Sequence, residues 1–88
     1  MDLSEEMWNE VGYVVASKYR IKIMKAINNG TKTPSQIAED ISIPLNRVSL
    51  TLAGLREHEL VVCINPQIRK GRLYRLTSKG EKVIKKIE

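Results

Sequence analysis

The stretch Thr33–Val61, TPSQIAEDISIPLNRVSLTLAGLREHELV, decides the fold. It reads as two short amphipathic helices separated by a tight turn and running straight into a β-branched strand. Thr33 offers a capping hydroxyl, and Pro34 follows at the first helical position, where the missing N–H would have no partner anyway. Ile37, Ala38 and Ile41 recur at helical spacing and form one apolar face. Ser42-Ile43-Pro44 breaks that pattern, because proline removes a donor and turns the residue before it away from helix. The next helix, about 45–58, puts Val48, Leu52 and Leu55 on one stripe and leaves Asn46, Arg47, Leu50, Thr51 and Gly54 on the opposite face. A helix of about 34–41, a turn, and a second helix with a polar, small-residue face are the sequence form of a helix-turn-helix.

The flanks extend the pattern on both sides. Residues 4–15 predict a helix, with Ser4 as its cap, Glu5 and Glu6 at the positive end, and Trp8, Val11 and Val15 on one face. Gly12 weakens that helix. Ser17 predicts a fresh cap for a helix to about Asn29, with Ile21, Met24 and Ile27 inward. Asn28-Asn29-Gly30 ends it, glycine taking the left-handed conformation. Beyond the central stretch, Leu60–Ile64 predicts a strand, Asn65–Gly71 a turn, and Arg72–Leu76 a second strand, together a hairpin over about 60–76. Thr77 caps a last helix of about 78–87, with Val83, Ile84 and Ile87 as its apolar edge. The expected class is mainly α with a β-hairpin, a winged helix-turn-helix of α+β type. No internal repeat, linker or low-complexity tract interrupts it.

Composition fits one domain spanning 1–88, with 42% hydrophobic residues available for a modest core. Cys63 is the only cysteine, so no intramolecular disulfide forms, and a reducing, cytoplasmic setting is expected. No apolar run approaches the roughly 18 residues of a membrane span, and the acidic start MDLSEE is unlike a signal peptide. Lys and Arg number 15 against 10 acids, a net charge of +5, which favours a polyanionic partner. The bases are unevenly spread. Arg69, Lys70, Arg72, Arg75, Lys79, Lys82, Lys85 and Lys86 face only Glu81 between Asn65 and Lys86. A second run, Lys18, Arg20, Lys22, Lys25 and Lys32, holds no acid; it reads equally as a solvated surface or as part of a nucleic-acid face.

The run SKYRIKIMKAINNGTKTPSQIAEDISIPLNRVSLTLAGLREHELV, followed by the hairpin and LTSKGEKVIKKI, resembles winged helix-turn-helix proteins of the ArsR/MarR-like group, especially small archaeal transcriptional regulators. The resemblance covers roughly residues 13–87. Its strongest pieces are PSQIAEDI, VSLTLAGLREHELV and the closing LTSKG, whose order and spacing carry the specificity. Three residues, at two places, depart from the group. Leu50 and Thr51 stand where a basic or His residue commonly follows the Val-Ser pair, and Glu59 stands where the group usually turns with glycine.

Binding a duplex requires cations and N–H donors for phosphates and side chains that reach base edges. Arg47 is suited to guanine and Asn46 to adenine, with a local role in the turn as the alternative for Asn46. Thr51 offers a short hydroxyl and Leu50 an apolar contact for a thymine methyl, while Ser49 is expected to point inward. Gln67, Arg69, Lys70 and Arg72 lie on or beside the hairpin tip, and the resemblance implies that this wing follows the phosphate backbone or reaches the minor groove, a solvated loop being the alternative. Thr33, Ser35 and Gln36 open the second helix of the pair, whose N–H groups can meet a phosphate. A homodimer is expected, with Trp8, Val11, Val15, Val83, Ile84 and Ile87 as its candidate interface or as closure of the protomer core. His58 and Cys63 cannot fill a tetrahedral site by themselves, so no metal and no cofactor is expected. His58 is expected on the surface, and Cys63 as a small buried hydrophobe. No phosphate loop or nucleophile–base pattern suggests an enzyme. The competing reading is an adaptor winged helix that contacts protein inside a transcription or RNA-processing assembly.

Overall fold

The computed structural model describes residues 2–88, and the side chains of all of these except Asp2, Leu3, Ser4 and Glu6. The elements run α1 (Asp2–Val15), α2 (Lys18–Ile27), α3 (Pro34–Ile41), α4 (Leu45–Glu57), β1 (Val61–Cys63), β2 (Tyr74–Leu76) and α5 (Ser78–Ile87). This is a winged helix-turn-helix: α3 and α4 are the helix pair, and the antiparallel β1–β2 ladder, with Val62 opposite Arg75, is the wing. The cap expected of Ser4 lies outside the described side chains, and the helix already runs from Asp2.

Local chemistry accounts for α3 and α4. Thr33 Oγ1 accepts from the Gln36 N–H at 3.1 Å, and Gln36 Oε1 accepts from the Thr33 N–H at 2.9 Å, a reciprocal capping box. Ser42 closes α3 in the left-handed conformation, φ 56°, and its N–H donates to the Ala38 carbonyl. Pro44 then starts α4 without a side-chain cap, its carbonyl receiving the N–H groups of Arg47 and Val48. Glu59, where the related group turns with glycine, does adopt the left-handed conformation, φ 60°. Its carbonyl accepts from Thr77 Oγ1 at 2.7 Å, and the same Thr77 oxygen accepts from the Gly80 N–H at 3.0 Å. One threonine thereby ties the end of α4 to the start of α5. Gly80 sits against the Leu60 carbonyl so closely that a Cβ would overlap it.

The core runs through all five helices and both strands. Val48, Leu52 and Leu55 of α4 share one core with Ile23, Met24 and Ile27 of α2, Ile37 of α3, and Val83 and Ile84 of α5. Several expected faces are rotated. On α1 the inward stripe is Met7, Val11 and Val14; Trp8 is 60% and Val15 49% exposed. Of the candidate interface residues, Val11, Val83 and Ile84 are therefore buried within the protomer. On α2, Ile23 fills the core and Ile21 is only half-buried. That helix ends at Ile27, Asn28 and not Gly30 taking the positive φ of 53°. Ser17 begins α2 without a side-chain capping bond.

The wing strands are shorter than expected, three residues each; past the Ile64 N–H bond to the Leu73 carbonyl, the Asn65 side chain takes over in holding the loop. Asn65 Oδ1 accepts from the Leu73 N–H at 2.7 Å while its Nδ2 donates to the Gly71 carbonyl at 3.2 Å. Gly71 turns with φ 78°. Lys32 adds a bridge to Tyr74, its N–H and carbonyl both engaged, so the residue before α3 is stitched to the wing. Among the described residues no helix is long and apolar enough to cross a membrane.

Candidate nucleic-acid interface

The candidate residues form three sets, with no side-chain hydrogen bond or ion pair joining one set to another among the described residues. Thr33, Ser35 and Gln36 open α3. Thr33 is half-buried and Gln36 exposed, and both are committed to the capping box; Ser35 is exposed. Asn46, Arg47, Leu50 and Thr51 lie on the outer face of α4. Asn46 and Arg47 are exposed and Leu50 is 69% exposed, whereas Thr51 is half-buried with its hydroxyl donating to the Arg47 carbonyl at 2.8 Å. Ser49, expected inward, is exposed with them, because the buried stripe of α4 is narrow. Gln67, Arg69 and Lys70 are exposed at the wing tip, and Arg72 Nε donates to the Ile68 carbonyl at 2.6 Å, which fixes that side chain along the loop.

Arg47, Leu50 and Thr51 share a cleft of about 250 Å³ with residues of the α1–α2 junction. Tyr13 builds its floor. The Tyr13 ring stacks on His58 at 3.6 Å and 11°, while the Arg20 guanidinium stands 3.7 Å from the same ring centroid. Both cannot share one face at these distances, so Tyr13 is sandwiched between them. Arg20 also donates to the Tyr13 carbonyl. Arg47 stands over the Tyr19 ring at 5.1 Å. Gly54, read as part of the open face of α4, instead receives the Tyr13 hydroxyl: a Cβ there would fall 2.5 Å from that oxygen.

His58 is not a free surface residue. It caps α4, and its Nδ1–H donates to Glu10 Oε1 at 2.9 Å, the carboxylate being able only to accept. Lys79 of α5 reaches the other oxygen of Glu10 at 3.1 Å. Burial raises the Glu10 pKa, but the hydrogen bonds and charges of Lys79 and His58 together outweigh it and hold the carboxyl below its ordinary value. Glu10 is thus the joint at which α1, the end of α4 and the start of α5 meet. No sequence signal marked it, since its partners lie 48 and 69 residues away along the chain. Cys63 is half-buried, with its Sγ 3.5 Å from Asn65 Oδ1.

The sequence matches no family model and no curated protein. Solved structures do match. HlyU from Vibrio cholerae superposes with a TM-score of 0.80 at 16% identity, over 99% of this chain and 94% of that one. Mb0332 from Mycobacterium bovis, a homodimeric winged helix-turn-helix DNA-binding domain described as a possible ArsR-family transcriptional regulator, matches with 0.74 at 19% identity, over 98% of this chain and 79% of that one. A ZitR variant from Lactococcus lactis matches with 0.71 at 25% identity over 81% of this chain, which spans about half (49%) of that one. By fold, the chain is a winged helix-turn-helix protein.

Proposed function

We propose that the chain is an ArsR-like transcriptional regulator that binds double-stranded DNA as a homodimer, α4 entering the major groove and the wing lying along the backbone. The observation that carries this reading is the outer face of α4. Asn46, Arg47 and Leu50 stand exposed while Val48, Leu52 and Leu55 anchor the helix from behind, the division of labour a recognition helix needs. Arg47 and Asn46 read bases; Leu50 and Thr51 meet a thymine methyl or the sugar-phosphate edge. Arg69, Lys70 and Arg72 have no carboxylate partner among the described residues and supply phosphate contacts with Gln67 and the α3 N-terminus at Thr33, Ser35 and Gln36. Trp8 and Val15, exposed on α1, form the apolar part of the dimer contact. The neighbour Mb0332, a homodimeric DNA-binding domain, supports both parts of this reading. The MarR-like and archaeal sides of the resemblance rest on sequence motifs alone.

A second reading is favoured by one observation. Leu50, apolar and 69% exposed at the middle of the α4 face, with Leu45 48% exposed nearby, suits a protein partner in an adaptor winged helix. A salt titration of binding to random duplex DNA, with the chain's own upstream region as competitor, separates the two. Salt-sensitive binding that prefers the upstream DNA is the expected result. Absence of binding even at low salt would transfer the α4 face to the adaptor reading.

A further inference from the structure

The cleft between the α1–α2 junction and the outer face of α4 lies apart from the wing, and its chemistry is that of an anion site. Two guanidiniums border it, Arg20 and Arg47, and no carboxylate lines it. Neither has an acidic partner among the described residues. Each lies over an aromatic ring, the Arg20 guanidinium 3.7 Å from the Tyr13 centroid and that of Arg47 5.1 Å from the Tyr19 centroid. A guanidinium over a ring has already lost part of its rotamer freedom, and Arg20, which gives one N–H to the Tyr13 carbonyl, keeps others for an incoming oxyanion. Ser17 adds a hydroxyl on the same cleft that makes no capping bond.

From this arrangement we infer a phosphate-binding subsite formed by Ser17, Arg20 and Arg47, filled by a backbone phosphodiester of the duplex that α4 reads. The inference rests on the DNA-binding reading and extends its interface to a part of the chain outside the helix pair and the wing. A groove about 12 Å wide is rimmed by phosphates, so a side chain on α4 that faces bases has phosphates beside it. Arg47, Leu50 and Thr51 contribute to both the outer face of α4 and the wall of this cleft. Arg47 can therefore serve a base or this phosphate, while Arg20 and Ser17 reach only the backbone.

The salt dependence of duplex binding tests the inference, followed by fluorescence anisotropy on the full chain and three variants, with circular dichroism as the check on folding. Loss of one phosphate contact lowers the slope of log K against log salt by about 0.9, a readout that a purely structural defect leaves unchanged. Arg20→Gln is expected to show that loss and Arg20→Lys to retain the wild-type slope. Ser17→Asp improves the α2 cap but sets a negative charge in the cleft, so it is expected to lose the same contact while melting no earlier than wild type. It decides the matter alone if Arg20→Gln does not fold. Folded Arg20→Gln and Ser17→Asp proteins with wild-type slope and affinity would overturn the subsite and leave the DNA-binding reading intact. A wild-type chain that binds no duplex would defeat that reading and the backbone assignment together. A parallel titration with inorganic phosphate, followed on the backbone amides, identifies the source. Shifts at Ser17 and Arg20 that vanish in Arg20→Gln, without any change in the DNA slope, would reassign the cleft to a small phosphate ligand and overturn the backbone assignment.

Discussion

The helix pair α3–α4 and the first helix α1 are built on opposite terms. α3 and α4 are specified by neighbours in sequence: the Thr33–Gln36 capping box, Pro34 at the first helical position, the left-handed Ser42 and Pro44 at the turn. α1 carries few such signals and takes its place from distant residues. Tyr13 lies between Arg20 and His58, with its hydroxyl on Gly54, and Glu10 joins His58 to Lys79. The helix pair is thus locally encoded, while its seat against the remainder of the domain is tertiary. A protein made this way can vary the outer face of α4 without disturbing its fold, because the residues that seat the helix point the other way.

Substitutions can break this comparison, and the largest effect falls on α4. Leu55 reads as core from the sequence and Trp8 as interface or core; Leu55 is fully buried and Trp8 is 60% exposed. Leu55→Ala is expected to cost about 2–5 kcal/mol in urea unfolding, the range for a fully packed leucine. Next comes the seat itself. Gly54→Ala gains up to about 1 kcal/mol of helix propensity but sets a Cβ 2.5 Å from the Tyr13 hydroxyl, an overlap that costs about 1–3 kcal/mol. The net is a destabilisation, and adding Tyr13→Phe is expected to reverse it, since the next ring atom, Tyr13 Cζ, stands at 3.9 Å, an ordinary contact. A double-mutant cycle by thermal melting measures the coupling.

The local signals carry smaller weights. Thr33→Ala removes half of the capping box and is expected to cost about 1 kcal/mol, with faster amide exchange confined to the first turn of α3. Glu10 adds a pH dependence. Its folded pKa lies below the ordinary value of 4.5, so its contribution is complete above that pH and is lost as the pH falls through the lowered value. Acid titration of stability is expected to flatten below pH 4.5 in Glu10→Gln, and an unchanged acid limb would remove Glu10 from the joint. Smallest is Trp8→Ala, within about 0.5 kcal/mol for the protomer at concentrations where it is monomeric. A larger protomer loss would place Trp8 in the core after all, while a weaker self-association in sedimentation would locate it in the dimer contact.

What the sequence disclosed follows the same division. Element order and the bounds of α3 were legible because caps, proline and helical periodicity act over four residues or fewer. The α1 stripe was misjudged because Trp8, Val11 and Val15 satisfy the spacing as well as Met7, Val11 and Val14 do, and packing against α5 and α2 chooses between them. Ser49 and Gly54 were exchanged between faces of α4 for a similar reason. Apolar spacing locates the stripe, but not a tyrosine arriving from another helix. Of the candidate site, the exposed cations of α4 and the wing tip were visible as composition. Arg20 was read only as one base of a run, Ser17 only as a helix cap and Tyr19 not at all, because their relation to Arg47 exists only in the folded chain. Asn65 was read as turn chemistry, and its side chain turns out to close the wing loop from inside.

The proposed role requires that the outer face of α4 and the wing tip bind DNA. The direct measurement is anisotropy of a labelled duplex against the triple variant Arg47→Ala, Arg69→Ala, Lys70→Ala, with its fold verified by circular dichroism. All three side chains are exposed and absent from the core, so the variant is expected to keep the wild-type melting temperature and to lose duplex binding together with most of its salt dependence. A folded variant that binds DNA as the wild type does would contradict the account and leave these surfaces without the role proposed for them.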